Sequence, residues 1–408
     1  MRIRFTLGLV FSLLWVASWT SMGQGAEFDA KKLAGLKQAM QKFVTEGGVN
    51  QVPGMVVAVG SSKGIAHVEA IGNTDLEGGK PLGANALYRI ASMTKPITAI
   101  AVMQQVDAGK LQVDDPVAKY LPEFQGQLLI TQREGGKVTL EPPARPITIR
   151  DLLTHTSGLP SGYPAGYSNL YMERNLTLKE ASLMQSQRPL DFAPGSKWSY
   201  CNAGIDTLGR IVEVVSGESF EGYLPKHVFG PLGMVDTTFY PSEEQLKRLA
   251  PLYDFKEGKL VVQTYSLLGP TKNAKHPIPA GGLYSTAHDL AKLYAVLLQG
   301  SKTAELTLVS AKSHEQMTAV QTGDLVCGFT PGMGFGYGFA VVRKPEGVHG
   351  MMSAGTYGHG GAFGTQGWCD PKQDLFVILL IQRSGMPNAD ASPLRAELQR
   401  IAVEALIK

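Results

Sequence analysis

The sequence predicts an α/β fold of the α+β type, and three observations point there. Strand-like runs occur early, at Met55 to Gly60 and Ile65 to Ile71, with glycines between them. Beta signals return only late, at Phe339 to Arg343, Ala362 to Cys369 and Leu375 to Gln382. Between about residues 110 and 275 the signals are helical and loop-like, punctuated by prolines and glycines. Strands at both ends with helices between them imply one α/β part, built from about 26–110 and 275–408. A mostly helical part of about 111–274 is then inserted and completes a cleft.

Taken along the chain, residues 1–25 read as a secretory signal. Arg2 and Arg4 are basic, Phe5 to Trp19 is apolar, and Gly23 and Gly25 offer small residues before Ala26. That apolar stretch is shorter than the about 20 residues a membrane span needs. Export to the periplasm or the medium is expected, with no stable membrane insertion after removal; an uncleaved N-terminal anchor is the other reading. Phe28 to Glu46 has Leu33, Leu36, Met40 and Phe43 at helical spacing. A second helix runs from Ser92 through Ile97, Ile100, Met103 and Val106, with Gly109 as its stop. From Ile97 to Met103 it is apolar nearly all round, which predicts burial. A last helix, Leu394 to Ile407, repeats Leu394, Leu398, Ile401 and Ala405 on one side.

With 408 residues, 44% of them hydrophobic, the chain can bury a sizeable core. Its formal charge of +3 comes without a long run of one sign, so nothing suggests nucleic acid or an anionic membrane surface. Cys201, Cys327 and Cys369 are too few for a disulfide scaffold; one bridge between Cys327 and Cys369 stays open, and Cys201 reads as a small apolar residue.

Chemistry concentrates at Ser92-Met93-Thr94-Lys95. Residues three apart share a helix face, so this hydroxyl and amine can meet. A serine is a poor nucleophile until a base takes its proton. Unpaired N–H groups make a first helical turn electropositive, which favours an alkoxide at Ser92 and lowers the pKa of Lys95. The bland reading, a helix cap beside a solvated lysine, loses weight when two further motifs are counted. Pro194 to Gly204 sets Tyr200 and Asn202 two apart ahead of a helical run, Ile205 to Val215. In extended backbone both point to one side, Tyr200 to pass a proton to a leaving group and Asn202 to bond substrate or Lys95. Tyr167-Ser168-Asn169 repeats the spacing without the following helix. Finally, the glycines of Gly358 to Thr365 imply close approach of a backbone or a ligand. There Gly360 and Gly361 would border the cleft, and the Ala362 N–H would join that of Ser92 as an oxyanion hole. His359 would orient substrate or touch its carboxylate. No His, Cys or Asp cluster has metal-ligand spacing, and no cofactor is expected.

These motifs together resemble the serine β-lactamase-like, penicillin-recognising hydrolases: class C β-lactamases, D-alanyl-D-alanine carboxypeptidases, D-aminopeptidases and related esterases. The resemblance rests on Tyr88 to Lys95, Asp151 to Leu159, Pro194 to Gly217, Gly281 to Thr286, Gly336 to Gly338 and His359 to Gly361. It implies a β-lactamase/transpeptidase-like fold, with an antiparallel sheet flanked by N- and C-terminal helices. It also implies Ser92 as the acylated nucleophile, Lys95 as its base and Tyr200 as the acid/base of the second half-reaction. The β-lactamases of this family carry lysine where this chain has His359. An unperturbed histidine is mostly neutral at pH 7, so attraction for a β-lactam carboxylate is weaker. The expected order is therefore carboxylesterase, then D-amino-acid peptidase or carboxypeptidase, then β-lactamase, with acyl transfer to another acceptor as the same chemistry. A non-catalytic penicillin- or peptidoglycan-binding protein is the alternative from another class.

Overall fold

The computed structural model describes residues 25–46, 48–162, 170–263, 269 and 273–407. The proposed signal and the Tyr167-Ser168-Asn169 triplet lie outside the described residues, apart from Gly25.

An antiparallel sheet of eight strands forms the frame. From the N-terminal half come β1 (Gly54–Ser61), β2 (Gly64–Asp75) and β3 (Lys80–Pro81). From the C-terminal half come β4 (Met333–Phe335), β5 (Ala340–Val342), β6 (Tyr357–Gly360), β7 (Gln366–Asp370) and β8 (Leu375–Ile381). Their spatial order is β4-β5-β6-β7-β8-β1-β2-β3. The two halves meet where β1 pairs with β8, from Met55 opposite Ile381 to Gly60 opposite Phe376.

Every residue of β1 and β8 is buried, so both faces of the sheet are covered. Side chains alternate between faces along a strand. Met55, Val57, Val59, Val377 and Leu379 accordingly pack against the terminal helices α1 (Ala30–Ala34), α2 (Leu36–Thr45) and α6 (Pro393–Glu404). Val56, Ala58, Ile378 and Leu380 face the larger core. That core contains α3 (Thr94–Asp107), α4 (Asn202–Ser216) and α5 (Ala287–Leu298).

The first helix breaks in two at Gly35, with Asp29 capping its start. The middle of the chain holds short helices and also two hairpins that the sequence did not announce, Leu129–Glu134 with Lys137–Glu141 and Tyr253–Lys256 with Lys259–Val262. All three cysteines are free and buried. Cys327 lies in the core under the terminal helices and Cys369 in the core on the opposite side of the sheet, so the open question of a bridge is answered in the negative. No helix among the described residues is long and apolar enough to cross a membrane.

Helix α3 is buried at every position from Thr94 to Met103. Ile100→Ala would leave a void on a helix that cannot relax toward solvent. An expected loss of about 3 kcal/mol follows; urea unfolding that shows less than about 1 kcal/mol would contradict this account of the core.

Candidate active site

Ser92 enters the site by a strained route. Tyr88–Arg89 pairs with Tyr284–Ser285, and the chain then turns into a 3-10 turn, Ala91–Met93, ahead of α3. Ala91 has φ +47°, which a side-chain-bearing residue adopts only at a cost. Ser92 therefore precedes α3 instead of starting it, yet the three-residue spacing still brings the groups together. Lys95 Nζ lies 3.0 Å from Ser92 Oγ and donates to the Ala280 carbonyl at 2.7 Å. The Lys95 side chain is fully buried. Burial disfavours the ammonium and lowers its pKa to about 7, with Asp206 and Cys201 acting in the opposite direction.

Tyr200 and His359 lie on other elements and reach the same place. The Lys95 amine sits 4.6 Å from the centre of the Tyr200 ring, and His359 is 6.0 Å from that ring between centroids. Burial raises the phenol pKa; the Ser92 hydroxyl acts the other way. Tyr200 is thus protonated at neutral pH. His155 braces it from behind: the rings are 4.6 Å apart, and His155 Nδ1 accepts the Cys201 N–H at 3.2 Å. His155 is buried, has φ +60° and is held neutral by burial and by the nearby Lys95. Cys201 caps α4 through its sulfur, and burial pushes its thiol up to about 11, so it is no competing nucleophile.

His359 Nδ1 is 2.6 Å from the Gly360 carbonyl, which can only accept, so Nδ1 carries the proton. Nε2 is buried with no partner among the described residues. Burial, then the Lys95 charge, depresses its pKa to about 3. Neutral, with its one proton committed, His359 does not donate to a carboxylate. Of its two expected roles, this state favours orienting substrate through Nε2 over attracting a carboxylate.

Ala362 lies in the turn after β6, not in a strand as expected, because Gly361 N–H bonds the Thr365 carbonyl and closes the turn. Thr365 Oγ1 donates to the Ile90 carbonyl at 3.1 Å, tying this turn to the backbone just before Ser92. A Cβ at Gly361 would stand 2.5 Å from that carbonyl oxygen, so only glycine allows the approach. Neither the Ser92 nor the Ala362 N–H has an acceptor among the described residues.

Asn202 departs from expectation. Helix α4 begins at this residue, so the two-residue alternation of extended chain is already lost there. It makes no hydrogen bond to Lys95, and its Oδ1 is buried without a partner among the described residues.

Ser92, Tyr200 and the segment from His359 to Ala362 open onto one cavity of about 220 Å³. Its other walls are apolar, chiefly Phe329, Met333, Phe335 and Trp368, with Asp390 and Arg395 as charged groups of opposite sign. Sequence reasoning missed these walls, Ala280 and Asp206. The aromatic side chains belong to segments without motifs, whereas Ala280 adjoins the Gly281 to Thr286 signature.

The chain is similar to known proteins in sequence and in fold. The family model described as Beta-lactamase covers residues 36–400. Esterase EstB of Burkholderia gladioli is 31% identical over 80% of this chain and 85% of its own. An uncharacterized protein of Mycobacterium tuberculosis is 32% identical over 87% and 91%. Among solved structures, EstCE1, titled a hydrolase with promiscuous acyltransferase activity, superposes with a TM-score of 0.73 at 25% identity, over 92% of this chain and 98% of that one. The simvastatin synthase LovD of Aspergillus terreus gives 0.74 at 23% identity over the same shares, a likeness of fold. The chain belongs to the β-lactamase family and is one of its serine hydrolases.

Proposed function

We propose that this protein is an exported carboxylesterase working through an acyl-enzyme at Ser92. The observation that carries the reading is the fully buried Lys95 amine, 3.0 Å from Ser92 Oγ and poised near neutrality. In acylation, neutral Lys95 takes the Ser92 proton as Oγ attacks the substrate carbonyl carbon. The Ser92 and Ala362 N–H groups receive the developing oxyanion. The Lys95 proton then passes by way of Tyr200 to the leaving oxygen, and the reverse path serves water in the second half-reaction. Asn202, half-buried at the head of α4, is assigned to substrate from its place two residues after Tyr200.

Ester substrates come first because the cavity wall is apolar and His359 carries no charge. A dry cavity of about 150 Å³ accommodates benzene, so 220 Å³ suits an acyl group of modest size. A β-lactam needs attraction for its carboxylate, which neutral His359 does not supply. The relative named Esterase EstB and the one named Lovastatin esterase, 30% identical over 81% of this chain, agree with the ester reading. Export rests on residues 1–25; the mature N-terminus recovered from the periplasm or medium should begin close to Ala26.

Ser92→Ala should abolish fluorophosphonate labelling and lower ester hydrolysis by at least about 10⁴-fold. Labelling that persists would remove Ser92 from the reaction, and a chain that labels but turns nothing over would be the binding protein of the alternative reading. Because the neutral amine is the active form, kcat/KM should rise with pH through about 7 and fall on acidification, about tenfold per unit well below that value. A rate unchanged down to about pH 4 contradicts lysine as base. Among a short-chain nitrophenyl ester, a D-alanyl peptide and a chromogenic cephalosporin, the ester should be fastest. A tenfold preference for the cephalosporin, about 1.4 kcal/mol in the barrier, would reverse the assignment.

A further inference from the structure

The segment from His276 to Leu283 has one carbonyl in the site and is clamped from both sides. From α3, Thr98 Oγ1 donates to the Pro279 carbonyl at 2.7 Å, and Thr94 Oγ1 accepts the Leu283 N–H at 3.2 Å. From α4, Gly209 leaves room for the Pro279 ring, which a Cβ there would overlap. Arg174 Nε also donates to the His276 carbonyl at 2.8 Å, and a further hold is Asp206, buried one turn after Asn202 on α4. Its Oδ1 accepts the Ala280 N–H at 2.8 Å. Its Oδ2 accepts the Tyr171 hydroxyl, and His276 Nε2 lies 3.8 Å away. These partners outweigh the burial that opposes ionisation, so Asp206 stays an anion.

The Ala280 carbonyl is the group to which Lys95 donates. Lys95 forms no ion pair among the described residues, its hydrogen bonds being those to Ser92 and Ala280. The titratable groups facing it are Tyr200, Cys201, His155 and His359, all uncharged at neutral pH, and the anion Asp206 behind Ala280.

We propose that Asp206 is the positioning residue of the acylation step: it fixes Ala280 so that its carbonyl holds one Lys95 N–H and the amine lone pair faces Ser92 Oγ, and its buried charge stabilises the ammonium formed there. The assignment rests on Ser92 and Lys95 as nucleophile and base. The step is balanced: the Ser92 O–H breaks, a bond forms from Oγ to the carbonyl carbon, the proton goes to Lys95, and the negative charge moves to the carbonyl oxygen. One positive charge then appears at Lys95, beside a carboxylate that was already in place.

Asp206→Asn separates the two roles, because an amide oxygen still accepts the Ala280 N–H while the charge is gone. Removing an anion near an amine lowers its pKa, so the acidic limb of kcat/KM should move to lower pH, by about half a unit or more. The plateau should fall about tenfold, since the ammonium loses its counter-charge and Lys95 becomes a weaker base. A merely structural residue would change the plateau without moving the limb. An unmoved limb or an unchanged plateau overturns the proposal. If that variant is recovered unfolded, Tyr171→Phe carries the test: it keeps the charge and the Ala280 bond but removes the donor to Oδ2. The less neutralised carboxylate should then move the limb to higher pH, and a limb that stays or falls counts against the proposal. Fluorophosphonate labelling of Ser92 in the parent chain keeps the outcomes apart. Its absence defeats the nucleophile assignment; its presence with an unmoved limb defeats only Asp206.

Discussion

An amine with no access to water governs this structure. Lys95 must lose most of its hydration, and an isolated ammonium in such surroundings is costly. The protein answers with one carbonyl, one hydroxyl and the face of a phenol ring, without an ion pair among the described residues. Burial brings the amine's proton affinity near neutrality, and Asp206 and Cys201, acting the other way, preserve its capacity to hold a proton. Burying Lys95 in turn requires that the start of α3 be enclosed, which explains why that helix is apolar on nearly every side. A surface helix would present one polar face, and its lysine would stay charged.

Convergence is achieved by backbone more than by side chains. Ala91 and His155 both hold left-handed φ values; Ala91 adjoins Ser92, and His155 itself braces Tyr200. Such conformations persist only when their surroundings over-determine them. For Ala91 the surroundings are the Thr365 hydroxyl on the Ile90 carbonyl and the close passage of Gly361. For His155 they are the bond from Cys201 and the Tyr200 ring. The sheet joins the two halves: β6 brings His359 beside a serine more than two hundred residues earlier, while β1 and β8 lock the ends of the chain together.

Motif order carried most of what the sequence could say. Ser92 and Lys95 were legible because their relation is local and a single turn sets their distance. Tyr200 was legible because a helix must start just after it. The place of Asn202 was misjudged for the same local reason: the helix starts one residue sooner than extended spacing assumes. His359 was found, but not its state, since a committed Nδ1 proton and a buried Nε2 depend on packing that no motif records. The two hairpins of the middle segment are short and largely exposed, so they lack the alternation that marks a half-buried strand.

The disposition of charge also constrains which substrates the cavity can favour. The two histidines near the reacting atoms are neutral, because burial makes protonation of His155 and His359 unfavourable and Lys95 adds to the penalty. A second fixed cation beside Lys95 would depress its pKa further and weaken it as a base. Substituting lysine for His359 would therefore attract a carboxylate only by altering the amine that drives acylation. Arg395, in the cavity wall, is held apart from this exchange: it stacks over Trp368 at 3.9 Å and bonds His349 and the Asp390 carbonyl. A neutral histidine at the strand edge, an apolar wall and one tuned amine form a consistent set. On the proposed reading, the same set suits an uncharged acyl group better than an anionic ring.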